Sequence, residues 1–360
     1  MATISLCMIV KNEEDVLARC LDSVRACVDE IIVVDTGSTD ATKEIARNYT
    51  DQVYDFPWID DFAAARNFSF SKAEMDYCMW LDADDVLLEE DAKQLLKLKA
   101  ELDPSVSIVM MKYHTAFDGE GNPTFSYYRE RLIRNRMGFV WQGAVHEVIT
   151  PAGKILHVNT AVTHQKLHPS DPDRNLRIFE KLRSEGKSLD PREQFYYARE
   201  LYYHKRYEDA LKEYASFLDS GRGWIENEID ACRQMSYCHY ALSEDDLALR
   251  DLLRSLVYDT PRSEVCCEIG KHFLDRNQLQ QAAFWFETAV EQPRREEAGG
   301  FSEPDSHDYL PYLQLCVCYD KLGKYDVANF YNELAGECKP NSQAVQFNRT
   351  YFEKRLSENK

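Results

Sequence analysis

The chain has 360 residues, 44% hydrophobic and 29% charged, with a formal net charge of −19. That length allows two domains, each with its own core. The acidic balance argues against general nucleic-acid or anionic-membrane binding, and no run approaches the roughly 20 apolar residues of a membrane span. Eleven cysteines are present, but none form a Cys-x-x-Cys pair. An odd count without metal spacing reads as reduced, mostly buried thiols in a cytoplasmic protein. Met1 to Val10 is apolar, has no basic leader and runs into Lys11-Asn12-Glu13-Glu14. It is expected to be a first strand and not a signal peptide.

Residues 3–10 form that strand. From Glu13 to Ala26, Val16, Leu17, Cys20, Leu21 and Val24 recur at helical spacing. Glu30 to Asp35 is apolar on both faces, as in a buried parallel strand. The turn Thr36-Gly37-Ser38-Thr39-Asp40 then leads into a helix reaching about Tyr49, with Ser38 and Thr39 expected to cap it. A short strand near Gln52–Asp55, a helix over about 60–73 and the strand Tyr77–Leu81 follow. Strand and helix alternate, so this half is expected to be an α/β layer around a mostly parallel sheet.

The strand Tyr77-Cys78-Met79-Trp80-Leu81 runs directly into Asp82-Ala83-Asp84-Asp85. Clustered carboxylates repel one another unless a cation or a donor-rich ligand sits among them. Mg²⁺ or Mn²⁺ with a diphosphate would answer that charge. The other reading is an acidic turn ahead of the helix that starts near Glu89. Ligands of such sheets bind beyond the carboxyl ends of the strands, where Asn12, Asp35 and Asp82 all fall. That shared location makes one site of three separate signals.

From about Ser107 to His164 four strands are expected, at 107–113, 125–133, 139–149 and 154–163. The third carries Gly138, Trp141, Gly143, His146 and Glu147, a mixture suited to a substrate-facing wall. Composition changes at Leu167-His168-Pro169-Ser170-Asp171-Pro172, read as a domain junction. Two domains are therefore expected, 1–170 and 171–360. In the second, Ala210, Ala248, Ala282 and Ala328 recur at intervals of 38, 34 and 46 residues. A roughly 34-residue period is that of tetratricopeptide helix hairpins. The third unit adds Ile269, Gly270, Phe273, Phe286 and Ala289, and the fourth Tyr312, Leu315, Tyr319, Ala335 and Pro340. Glu296–Asp308 reads as an insertion between them. A non-repetitive bundle is the alternative. Stacked hairpins form a concave groove suited to a peptide or a partner protein.

Four motifs carry a family resemblance. They are Ile4-Ser5-Leu6-Cys7-Met8-Ile9-Val10-Lys11-Asn12-Glu13-Glu14, Ile32-Val33-Val34-Asp35-Thr36-Gly37-Ser38-Thr39-Asp40, Phe62-Ala63-Ala64-Ala65-Arg66-Asn67 and Trp80-Leu81-Asp82-Ala83-Asp84-Asp85. In this order, they resemble the inverting, metal-dependent family 2 glycosyltransferases of the GT-A fold. Gly143-Ala144-Val145-His146-Glu147 and His164 resemble a branch with a His-Glu pair and a final histidine. With the helical half, the chain is similar to bacterial transferases joined to tetratricopeptide repeats, among them peptide S- and O-glycosyltransferases of the sublancin type.

The resemblance implies roles. Asp35, Lys11 and Asn12 would line the pocket for the base and ribose of a nucleotide sugar, a UDP-sugar first. Arg66 would offer donors to phosphate or base oxygens, and Asn67 would complete the nucleoside contact. Asp82 and the Ala83 backbone would touch ribose and diphosphate. Asp84, with Asp85 as a neighbour, and His164 would hold Mn²⁺ or Mg²⁺, although a histidine at a strand end is as readily a packing residue. His157 and His168 are weaker choices. The Glu-Asp pair that supplies the base in many members is not found in the corresponding region, which leaves Glu147 or His146. The Gln-x-x-Arg-Trp motif of processive synthases is also absent, implying transfer of one or a few sugars. The acceptor is either a peptide or protein side chain (Cys, Ser or Thr) or a cell-surface saccharide or lipid-linked precursor. A scaffold with a degenerate transferase half is the non-enzymatic alternative. The helical half is expected to serve acceptor recognition or self-association as a homodimer.

Overall fold

The computed structural model describes residues 1–167, 171–295, 300–301 and 303–358. His168 and the centre of the expected junction lie outside the described residues, as does part of the expected insertion. The chain divides into two compact units, Met1–Tyr196 and Tyr197–Lys360, so the division falls further along the chain than the change in composition.

The first unit is built on an eight-stranded mixed sheet. Its strands are β1 (Ile4–Val10), β2 (Glu30–Asp35), β3 (Val53–Asp55), β4 (Tyr77–Trp80), β5 (Asp85–Val86), β6 (Ile108–Phe117), β7 (Pro123–Arg134) and β8 (Ile155–His164), in the order β3-β2-β1-β4-β7-β6-β8-β5. The first four are parallel, with Val10 opposite Asp35 and Cys7 opposite Trp80. β7 pairs antiparallel with both β4 and β6. The helices are α1 (Leu17–Val24), α2 (Thr42–Arg47), α3 (Phe62–Phe70), α4 (Glu89–Glu101), α5 (Arg174–Ser184) and α6 (Pro191–Tyr203), which crosses the division. Helix α1 illustrates how pattern becomes packing. Leu17, Cys20, Leu21 and Val24 fall on one stripe, and all are buried in the core with Leu6, Met8 and Met79.

The strand expected at 139–149 is a correction. The backbone takes positive φ at Gly138, Gly143 and His146, which breaks a regular ladder. Only Gln142 and Val148 pair there, in an isolated bridge. The segment is instead a loop anchored by Trp141, whose ring meets Trp80 and Phe70 edge-on at 5.2 and 5.7 Å.

The second unit contains α7 (Tyr207–Asp219), α8 (Ile225–Ala241), α9 (Asp245–Arg254), α10 (Ser263–Asp275), α11 (Leu279–Glu291), α12 (Tyr309–Lys321), α13 (Tyr325–Cys338) and α14 (Gln343–Glu358). Hairpins α8–α9, α10–α11 and α12–α13 stack in sequence, with α7 against α8 and α14 against α13. Ala210, Ala248, Ala282 and Ala328 fall on α7, α9, α11 and α13 and are fully buried. Gly270 serves the same close approach, because a Cβ there would sit 2.8 Å from the Phe286 ring. The described part of the insertion lies against α8 and α10. Glu303 pairs with Arg233 at 2.7 Å and donates its N–H to Glu264, and His307 bonds Ser263 at 2.9 Å.

Candidate functional site

The carboxyl ends of β1, β2 and β4 frame the site. At the first two, the chain cross-braces itself. Asn12 adopts φ 56° and donates its N–H to Ser38 Oγ, while its Oδ1 accepts from Thr39 N at 2.8 Å. The Asn12 side chain is therefore committed to the turn, and the exposed Lys11 stands beside it. Asp35 is 2% exposed, and its Oδ1 accepts from the N–H groups of Gly37 and Ser38, both at 2.9 Å. Its Oδ2 is buried with no hydrogen-bond partner. The expected capping by Ser38 and Thr39 is corrected: α2 starts at Thr42, whose N–H goes to Asp40. Asp35 itself ties the turn with one oxygen and leaves the other unanswered, an arrangement that suits a ligand N–H or O–H.

Arg66 rises from α3, whose start is capped by Asp61 accepting from Ala64 N. Its guanidinium lies 4.5 Å from the Trp80 ring and 5.2 Å from that of Trp141. Nη2 meets Asp82 Oδ1 at 2.7 Å and Nε meets Glu147 Oε1 at 2.5 Å, while Nη1 is buried without a partner. Burial alone would weaken its hold on the proton; the charges of Asp82 and Glu147 outweigh that and raise its pKa. Burial likewise disfavours the Asp82 carboxylate, yet Arg66, with Arg131 and Arg129 beyond, lowers its pKa. Asn67 is placed apart from this pocket: its amide bonds both N–H and C=O of Trp141, so it fixes the loop. Ala83 is buried in the core, and only its backbone belongs to the strand end.

The third group is Asp84, Asp85 and His164, each offering a ligand atom within 4.8 Å of the others. Asp85 pairs with His164 across β5 and β8. Asp85 is fully buried and already answered: Arg131 Nη1 lies 3.2 Å away and the Tyr113 hydroxyl donates to it at 2.8 Å. Asp84 has no such cation. Burial, then the charges of Asp82 and Asp85, raise its pKa against the opposing effect of His164. A hydrogen bond to Asp85 raises that of His164, with burial opposing. Glu13 is pushed up to about 7 by burial and then by Asp84, Asp82 and Asp40. Among the described residues, Asp84 has only the His164 imidazole beside it, and the oxygen-plus-imidazole set fits a hard divalent ion. His157 lies edge-on to Tyr128, away from this cluster.

The two expected bases are both engaged. Glu147 is buried against Arg66, and the His146 ring stacks on Tyr196 at 4.1 Å while its carbonyl accepts from Arg192. Sequence reasoning missed Tyr113, Arg129 and Arg131. Arg129 and Arg131 stand two apart in the run Tyr127–Ile133, so they share one face of an otherwise inward strand. Guanidinium groups at that spacing inside a buried strand are a readable signal. They lie 4.7 and 3.8 Å from the Trp80 ring.

The sequence profile of Glycosyl transferase family 2 matches residues 5–155. A TPR repeat-containing protein of Synechococcus elongatus is 38% identical over 151 residues, covering 41% of this chain and 36% of the relative. The SPbeta prophage-derived glycosyltransferase SunS of Bacillus subtilis is 30% identical over 229 residues, covering 58% and 51%. The lipopolysaccharide core biosynthesis glycosyltransferase LpsC of Rhizobium meliloti is 28% identical over 165 residues, covering 44% and 60%. The chain thus spans between about a third and three fifths of the length of these relatives. Residues 5–155 thus carry the sequence signature of family 2 glycosyltransferases, and the second unit is built of stacked helical hairpins.

Proposed function

We propose that this protein is a metal-dependent, inverting glycosyltransferase that moves a sugar from a nucleotide sugar, most readily a UDP-sugar, to a peptide or protein side chain. The observation that carries this reading is the strand-end cluster, where Asp84 stands 3.4 Å from His164 and Asp85 completes a set of ligand atoms within 4.8 Å of one another. Asp84 and His164 would hold Mn²⁺ or Mg²⁺, which when bound stabilises charge building on the leaving diphosphate. Arg66, held to Asp82 through Nη2 at 2.7 Å, and Asp82 itself would orient the phosphates and ribose. Asp35 Oδ2 would accept from the base. The resemblance to the peptide-modifying branch, together with the helical repeats, supports a Cys, Ser or Thr acceptor. No helix of the described residues is long and apolar enough to cross a membrane. A second reading, transfer to a saccharide or lipid-linked precursor, is supported by the likeness to the lipopolysaccharide core enzyme.

The test is hydrolysis of a panel of nucleotide sugars with and without Mn²⁺, followed by transfer to peptide and saccharide acceptors. Mn²⁺-dependent turnover of one donor is expected. No turnover and no binding of any nucleoside diphosphate would falsify the enzymatic reading and favour a scaffold.

A further inference from the structure

Glu147 is one of the two expected bases, yet it is 8% exposed and lies 2.5 Å from Arg66 Nε. Its Oε1 is already occupied by the Arg66 guanidinium in a charge-assisted bond, so that oxygen is not open to an acceptor. The same contact has another consequence. Arg66 has two rings beside it and carboxylates at two of its three nitrogens, which fixes the plane and rotation of the guanidinium. Nη1 is then the nitrogen left buried and unanswered. Glu147 is itself held firmly: Arg129 bonds its carbonyl, and the next residue, Val148, exchanges both backbone bonds with Gln142.

We infer that Glu147 is the positioning residue for Arg66 and not the acceptor's base. It fixes the Nε edge so that Nη1 is presented to an anionic oxygen of the donor, the diphosphate under the reading above, on which this inference rests. Without Glu147 the guanidinium keeps one anchor, Asp82, and can turn about it. Donor binding then suffers before any proton is moved.

The test measures UDP affinity by calorimetry with Mn²⁺ present, in Glu147→Gln, Arg66→Ala and the double variant. Glu147→Gln should weaken UDP by about tenfold and leave the shape of the pH–rate profile unchanged. In the Arg66→Ala background the same substitution should change affinity by less than about twofold, because its effect runs through Arg66. Wild-type UDP affinity in Glu147→Gln would overturn the inference, and so would the loss of a pH limb with a fall in transfer rate of about a hundredfold or more, which would mark Glu147 as the base. Failure of the wild-type protein to bind UDP or any other nucleoside diphosphate overturns the glycosyltransferase reading itself. Glu147→Asp keeps the charge and shortens the reach: measured well below its own unfolding midpoint, it should bind UDP more weakly than wild type, and normal binding in this variant counts against the inference.

Discussion

Asp85 and His164 are paired across the antiparallel β5–β8 ladder, and that register brings Asp84 to 3.4 Å from the imidazole. The two neighbouring aspartates are thereby given different work. Asp85 neutralises Arg131 inside the protein, whereas Asp84 faces the site.

Substitution should separate these roles. Asp84→Asn is expected to keep the unfolding midpoint and to lose most Mn²⁺ binding, since one ligand charge goes while volume stays. Asp85→Asn should destabilise the fold by about 3–5 kcal/mol, the range for stripping one partner from a buried ion pair. Calorimetric Mn²⁺ titration and chemical denaturation of both variants check this. Equal metal loss with equal stability in the two would remove the distinction.

Asp35 offers a cleaner variant than alanine would. Its Oδ1 ties Gly37 and Ser38, so Asp35→Ala should cost stability as well as ligand. Asp35→Asn can keep the Oδ1 bonds while turning the orphaned acceptor into a donor. UDP affinity should fall by about 1–3 kcal/mol, with an apo midpoint nearer wild type than that of Asp35→Ala. An undiminished UDP-induced midpoint shift in Asp35→Asn would rule out base or ribose contact through this side chain.

A pH effect on stability is expected from Glu30. Burial opposes its charge, but the Glu74 N–H, the Ser5 hydroxyl and the Gln52 amide outweigh burial and lower its pKa. A carboxyl whose folded pKa is depressed stabilises the protein above its unfolded pKa, about 4.3. That contribution fades as pH falls towards the folded value. Glu30→Gln should therefore be less stable at pH 7, by about 1–3 kcal/mol, and the gap should shrink as pH falls below the unfolded pKa of about 4.3. Urea unfolding at three pH values measures it, and a gap independent of pH refutes the assignment.

In the helical unit, Gly270→Ala should destabilise by about 1–3 kcal/mol, since the new methyl meets the Phe286 ring inside normal contact and must push it. Pairing it with Phe286→Leu should recover part of the loss. Thermal unfolding of the single and double variants checks this, and additive losses would show that the two residues do not share the contact.

The sequence by itself determined the alternating layer and which residues stand at its strand exits. Apolar runs ending in Asn12, Asp35 and Asp82 place those residues at carboxyl ends, because parallel strands all point one way and their polar exits collect on one edge. It also determined the repeat, since Ala210, Ala248, Ala282 and Ala328 mark where helices touch and only a small side chain fits. Tertiary structure alone decided what each charge does. Arg66 and Glu147 are 81 residues apart and Asp85 and His164 are 79 apart, so no local pattern could join them. The 139–149 segment alternates enough to read as a strand, yet positive φ at Gly138, Gly143 and His146 breaks the ladder, and Trp141 packs against Trp80 and Phe70. Whether a carboxylate is free to act depends on its nearest cation, and that distance is set only when the chain has folded.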